Sequence, residues 1–171
     1  MRMKRVVQLL ALLSLFILQS GCGYKPSAHY ARAVVGEKVS TEVVISIQDP
    51  ENTVLIQDAI QTAVITRFRS ALTKRSEADT HLRIDLQHVA FTPLQYDVNG
   101  YIIVYRTRVT LQITRETGKS LRNYTVKGVY DFNIEPNAII SDQARFDAIR
   151  YGAQKAIDAF TAQVAAEGAQ K

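Results

Sequence analysis

Apolar and polar residues alternate from Lys38 to Ile47. Val39, Thr41, Val43, Ile45 and Ile47 fall on one side, and Ser40, Glu42 and Ser46 on the other. A period of two predicts a half-buried strand, ended by Asp49-Pro50 because proline cannot donate to a ladder. Asn52 or Thr53 is placed to cap a helix, whose stripe of Ile56, Ala59, Ile60, Ala63, Val64, Phe68 and Leu72 leaves Arg67 and Arg69 off the apolar face. After a polar break at Lys74 to Asp79, Leu82, Ile84, Leu86, Ala90 and Leu94 mark the inner side of a second strand. Asn99-Gly100 is a tight-turn signal. Beyond it Tyr101, Ile103, Tyr105, Val109, Leu111 and Ile113 share a face. Thr117-Gly118 predicts a second hairpin, followed by Tyr124, Val126, Tyr130 and Phe132 facing the core. Gly128 on that face admits a bulky neighbour or marks a bulge. The last helix, with Ser141 or Asp142 as its cap, carries Phe146, Ile149, Ala153, Ala156, Ile157, Phe160 and Val164, and Gly168 sits where helices commonly stop.

The element order is therefore β-α-β-β-β-α. A strand–helix–strand unit returns parallel, and short turns make the remaining strands antiparallel. All apolar faces are satisfied if two helices cover one side of a four-stranded mixed sheet, giving a two-layer α/β (α+β) sandwich over residues 38–168.

The pattern ahead of this domain differs. Arg2, Lys4 and Arg5 precede an apolar run from Val6 to Leu18, interrupted only by Gln8 and Ser14, and Ser20-Gly21 lead into Cys22. Residues 1–21 thus read as a secretory signal peptide, with an apolar core too short to span a bilayer. Cys22 is the single cysteine, so an internal disulfide is impossible. Its setting resembles the lipobox of bacterial lipoproteins, with Gln19 where the pattern usually has leucine and Leu18 one step earlier. That resemblance implies diacylglycerol on the Cys22 thiol as the new N-terminus. It also implies outer-membrane sorting, since Gly23 is not the aspartate associated with inner-membrane retention. Acyl chains contribute about 0.8 kcal/mol per buried CH₂, so two or more make a durable anchor. Residues 22–37 then read as the lipidated start and a tether without clean period.

Charge changes little. Residues 1–21 hold three of the 21 basic residues and none of the 16 acidic ones, so the remainder carries only +2. Export and the lack of any nucleic-acid motif argue against a nucleic-acid partner. His81 and His88 lie seven apart on one strand, which predicts opposite faces, and His29 falls in the tether, so no metal centre is expected. Asp97-Val98-Asn99-Gly100 resembles a calcium loop only superficially, because Arg108 stands where a bidentate carboxylate would close it. Asp131 and Glu135 read as solvated. No nucleophile elbow, phosphate loop or dinucleotide fingerprint occurs, so neither catalytic residues nor a cofactor is expected.

The outward sheet face carries more. Two-residue turns at Thr117-Gly118 and Asn99-Gly100 set Arg108 beside Lys127 and Phe91, and Arg106 beside Val129 and Pro93. Arg106, Arg108 and Lys127 then share the uncovered face. Opposed like charges are destabilising, and arginine's planar fork suits phosphate. A plain solvated face, partly neutralised by Asp85, Glu116 and Asp131, is the competing reading. Ile102, Val104 and Val129 add exposed apolar surface there.

Across residues 22–166 the chain resembles the LPS-assembly lipoprotein family, LptE. The resemblance rests on the Cys22-Gly23-Tyr24 start, the strand Glu42 to Ile47, the helix opening Val54-Leu55-Ile56 and ending near Phe68, the hairpin through Tyr96 to Tyr105, and the closing helix from Ser141. Pro93-Leu94-Gln95-Tyr96-Asp97 and the run Tyr130-Asp131-Phe132-Asn133-Ile134-Glu135-Pro136-Asn137 belong to the same likeness. It implies a non-enzymatic outer-membrane lipoprotein that plugs the barrel LptD, assists its assembly and contacts lipopolysaccharide. Arg106, Arg108 and Lys127 are expected as phosphate contacts from the face they share, not from alignment. An accessory lipoprotein of a periplasmic lipid or solute transport system is the alternative.

Overall fold

A computed structural model describes residues 27–44 and 50–170. The expected signal peptide, Cys22, and the outer end of the first strand at Ile45 and Ile47 lie outside the described residues. Within them the order is α1 (Ser27–Val35), β1 (Lys38–Val44), α2 (Pro50–Thr66), β2 (Ala71–Leu72), a 3₁₀ turn (Arg75–Glu77), β3 (Thr80–Tyr96), β4 (Ile102–Thr117), β5 (Ser120–Asn133) and α3 (Asp142–Ala169). The sheet runs β2-β1-β3-β4-β5, with β1 parallel to β2 and β3, and β3-β4-β5 antiparallel.

The expected α+β layout thus holds, but with five strands and three helices in place of four and two. The fifth strand is the two-residue β2, which pairs Ala71 and Leu72 with the start of β1. Leu72 therefore leaves the α2 stripe, where it was expected, and is exposed. The third helix is α1, which lies in the segment expected as tether. Ala31, Val34 and Val35 from α1 are buried in the common core. Its spacing of apolar residues is too short to stand out by periodicity, because α1 has only nine residues.

Helix ends follow from local chemistry. Pro50 opens α2, where the N–H it lacks would have had no intrahelical partner. Asn52 and Thr53 consequently sit inside the helix instead of capping it. Ser141 caps α3 as expected, its hydroxyl accepting from Ala144 N at 3.2 Å. Gly168 does not stop α3, which continues to Ala169. A Cβ there would overlap the Tyr30 carbonyl, so this glycine admits the backbone of α1.

One core joins the inner sheet face to the helices. Val39, Leu82, Ile84, Val109, Leu111, Ile113 and Val126 meet Ile56, Ile60, Val64 and Phe68 of α2 and Ile149, Ile157, Phe160 and Val164 of α3. Phe160 meets Phe68 and Tyr124 edge-on, with centroids 5.9 and 5.1 Å apart. At the sheet end below α3, the inward Arg115 pairs with Glu167 at 3.2 Å and lies over the Tyr124 ring. Burial pushes the Tyr124 hydroxyl up to about 12, and the nearby Glu167 carboxylate adds to the shift.

Gly128 resolves the two readings open for it. The β4–β5 ladder passes through it without irregularity, so there is no bulge. A Cβ at 128 would run into the Gly152 carbonyl oxygen and the Ala156 nitrogen of α3. The helix backbone itself rests on the strand. Gly128→Ala is expected to cost about 1–3 kcal/mol by overpacking against backbone that cannot rotate away. A lowered urea midpoint at unchanged slope would show it.

Candidate functional site: the open face of the sheet

Two turns and the register shifts of β3, at Leu86/His88, Pro93/Gln95 and Gln95/Tyr96, decide which side chains meet on the face that α2 and α3 leave uncovered. The β4–β5 turn is Gly118-Lys119, closing on the pair Thr117–Ser120. Gly118 has φ +58°, which suits glycine at the first central position of a type II′ turn. The expected turn lay one residue earlier, so every pairing shifts by two while faces are kept. Arg108 opposes Val129, Thr110 opposes Lys127 and Arg106 opposes Asp131.

The β3–β4 loop is longer than the expected two residues. Asp97 N donates to Tyr101 O at 2.8 Å, and the Asp97 carboxylate accepts from Asn99 N and Tyr101 N at 2.9 and 2.8 Å. This carboxylate is a turn fastener, as its side chain suits. Arg108 therefore opposes Ala90, not Phe91, and Arg106 opposes Thr92, not Pro93. A register shift between Leu86 and His88 then exchanges the faces of the outer half of β3. Val89 and Phe91 pack on the core, in place of Ala90 and Leu94. The same bulge puts His88 on the open face together with His81, where an unbroken strand would have separated them. The two remain far apart along β3, and no metal-binding group of side chains occurs among the described residues.

The three predicted cations are on one face, but they are not equivalent. Arg106 grips Asp131 through Nε and Nη2, at 2.8 and 2.7 Å. That fork holds the Asp131 carboxyl below its usual range and raises Arg106 in turn. Asp85 lies 3.7 Å from Arg83, and Glu116 2.7 Å from Arg75. The acids expected to neutralise the patch are thus all engaged elsewhere or by Arg106. Arg108 and Lys127, both exposed, have no ion pair among the described residues. They are diagonal neighbours on adjacent strands, about 7–8 Å apart at this position in a ladder. Thr110 lies between Lys127 and His88, and Val129, 41% exposed, lies beside Arg108.

Sequence reasoning missed a polar network at the other end of this face. Ser40 Oγ is 2.8 Å from His81 Nδ1, and His81 Nε2 is 3.2 Å from Glu42 Oε2. Arg75, from the 3₁₀ turn, reaches both Glu42 and Glu116. Alternation did place Ser40 and Glu42 on the outer side, but only the parallel pairing of β1 with β3 sets Ser40 beside His81. The serine–histidine–carboxylate order has the hydrogen-bond logic of a relay. Ser40 and His81 are only 4% and 7% exposed, however, so a substrate cannot reach the hydroxyl and the network closes the sheet against the turn.

A separate groove of about 360 Å³ lies between α2 and α3, lined by Ala59, Ala63, Tyr130, Tyr151 and Lys155 among others. The Tyr130 and Tyr151 rings lie 4.8 Å apart within it, and Arg67 bridges to Asp158 at 3.1 Å. Thr62, Thr66, Lys155 and Asp158 supply the polar part of its lining.

The lipopolysaccharide-assembly family LptE matches over residues 41–164, which spans β1 through most of α3. The chain belongs to the LptE family. The family is one of accessory lipoproteins, and membership supports a role in lipopolysaccharide assembly. Solved structures share the LptE-family fold at low identity. A lipoprotein from Caulobacter crescentus aligns with TM-score 0.54 and 10% identity, covering 85% of this chain and 97% of its own. A protein from Xanthomonas campestris aligns with TM-score 0.53 and 11% identity, covering 81% and 88%. The rare lipoprotein B of Shewanella oneidensis is also similar, at TM-score 0.44 and 13% identity, covering 78% and 91%. Comparison with individually curated proteins gives no significant match. Among the described residues no helix is long and apolar enough to cross a membrane.

The Arg106–Asp131 pair carries a pH signature. Because the folded-state pKa of Asp131 is depressed, its contribution to stability is present above the unfolded value of about 3.9. It is lost as pH falls through the lower folded value. Asp131→Asn should therefore lower the urea midpoint at pH 7, with the gap to the parent protein closing in strong acid. A gap independent of pH would show that the pair does not act through charge.

Proposed function

We propose that this LptE-family lipoprotein contacts lipopolysaccharide through Arg108 and Lys127 while seated in the lumen of an LptD-type outer-membrane barrel. Lipid on Cys22 holds it to the outer membrane from the periplasmic side. The observation that carries the reading is the pair of cations that, among the described residues, have no ion pair and lie on a sheet face no helix covers. An exposed guanidinium and an ammonium on diagonal neighbours of one ladder match a phosphorylated glycolipid better than a neutral one. Val129 beside them supplies apolar surface for the boundary between head group and acyl chains.

Arg106 has a different part in this reading from the one expected for it. Its fork is occupied by Asp131, so it orients that edge of the patch and meets a phosphate only by exchanging partners. Family membership supports the barrel plug, and the setting of Cys22 supports the lipid anchor. Both give the domain a fixed place, and among the described residues no helix is long and apolar enough to cross a membrane.

Replacing Arg108 and Lys127 together by Glu should weaken lipopolysaccharide binding by about tenfold or more at low salt, since two charge-assisted contacts become repulsive. The deficit should shrink as salt screens the patch. Equal binding by the double variant, with an unchanged melting temperature, would remove these residues from the site. Crosslinking in intact cells tests the partner. Recovery of a large outer-membrane barrel supports the plug, whereas recovery of inner-membrane transporter subunits supports a periplasmic transport accessory. Radiolabelled palmitate should enter the parent protein and not Cys22→Ala.

A further inference from the structure

Asp131 is within reach of two arginines and is held by one. On the open face Arg108 is flanked across β3 by His88, Ala90 and Thr92, and across β5 by Lys127, Val129 and Asp131. Asp131 is the one acid in that set. It lies directly opposite Arg106 and diagonal to Arg108, and a diagonal neighbour at about 7–8 Å remains within reach of a long side chain. Its carboxylate nonetheless accepts from Arg106, through Nε at 2.8 Å and Nη2 at 2.7 Å. The two side chains of that fork are 38% and 39% exposed. An ion pair so exposed adds little to stability, so its effect on the neighbouring cations is the larger consequence. Lys127 has no acid beside it on β4, where Thr110 lies opposite and Arg108 and Gln112 lie on the diagonals.

We propose that Arg106 is a guard: by sequestering Asp131 it keeps Arg108, and with it the Arg108–Lys127 pair, open to a phosphate. A carboxylate fits the guanidinium fork as a phosphate does, so a released Asp131 is an internal competitor for Arg108. Held on the adjacent strand, it competes intramolecularly, an advantage that no free anion has. Arg106 wins that carboxylate because it stands directly across the ladder, where Cβ atoms are about 4.5–5.5 Å apart. Arg106 is thus a positioning residue, acting on the ligand through Asp131. The inference rests on the reading of Arg108 and Lys127 as phosphate contacts, and it gives the third cation of the face a separate task.

The test measures lipopolysaccharide binding to the full lipidated protein in detergent at physiological ionic strength. Arg106→Gln should weaken binding by about tenfold, because the freed carboxylate takes one charge-assisted contact from the ligand. Arg106→Gln combined with Asp131→Asn should return to within about twofold of the parent. A direct phosphate contact at Arg106 gives no such rescue, since both variants lack the guanidinium. Net charge is controlled through Asp85, which stands opposite Gln112 on the same face, four residues along β4 from Arg108. That is about 13 Å away, beyond a Debye length of about 8 Å. Arg106→Gln combined with Asp85→Asn restores the net charge and should stay weak. Rescue by Asp85→Asn overturns the proposal, as does no rescue by Asp131→Asn, or parent-like binding by Arg106→Gln alone. The phosphate reading fails by a different result, parent-like binding when Arg108 and Lys127 are both changed to Gln. A readout without ligand keeps the two apart. The Arg108 Nε–H resonance should shift in Arg106→Gln and return when Asp131→Asn is added, and an unmoved resonance overturns the guard.

Discussion

The contact on which the fold most depends is the seating of the α3 backbone on β5, at Gly128 and Gly152. Helices usually pack on sheets through side chains, and here the spacing is set by the absence of one. With no Cβ at 128, the Gly152 carbonyl and the Ala156 amide lie directly over the strand. That close approach brings Ala153, Ala156 and Ile157 into the core and lets Phe160 reach both Phe68 and Tyr124. Gly168 repeats the device where α1 crosses α3. The helix layer is thus thin and near the sheet, and every charged or hydroxylated residue of β4 and β5 with the opposite phase is left to the other face.

Much of this was legible because period two and period 3.6 are dictated by burial. Val39 of β1, Val109, Leu111 and Ile113 of β4, Tyr124 and Val126 of β5 and the stripe of α3 from Ile149 to Val164 are buried as the sequence pattern predicts, whereas Tyr101 stands exposed in the β3–β4 loop. What periodicity does not encode is a change of phase. Nothing in the run Leu86 to His88 announces a bulge, since a strand with mixed polar residues on both sides scores equally well in either phase. Only the core decides, by taking Val89 and Phe91 instead of Ala90 and Leu94. The turns were misplaced for a related reason. Gly118 serves a two-residue turn in either central position, and the type II′ geometry that places it first is visible only from its positive φ. Asp97 lengthens its loop through a side-chain bond to the backbone that alternation cannot reveal.

These slips bear on the site unequally. A shift of two residues keeps each side chain on its face, so Arg106, Arg108 and Lys127 stay together although each has a different neighbour. A shift of one moves a residue through the sheet, and that is how His88 comes to lie on the cationic face. Partners across a parallel pair are harder still, because they depend on a crossover and not on a turn. Ser40 and His81 illustrate this, being 41 residues apart in sequence and 2.8 Å apart in space.

The electrostatics of the open face follow from those pairings. Asp131, placed two residues from its expected partner, binds Arg106 by a fork, and Arg83 and Arg75 occupy Asp85 and Glu116. Each acid on this face that lies near a cation is therefore already committed. Two positive charges remain where the β4–β5 ladder is regular. In water such a pair is tolerable, since screening keeps the repulsion small. In a dry or lipid-filled lumen the same pair would be costly without a counter-ion. A face built this way costs little while solvated and gains most from an anion once water is excluded, which is the change of surroundings that entering a barrel would impose.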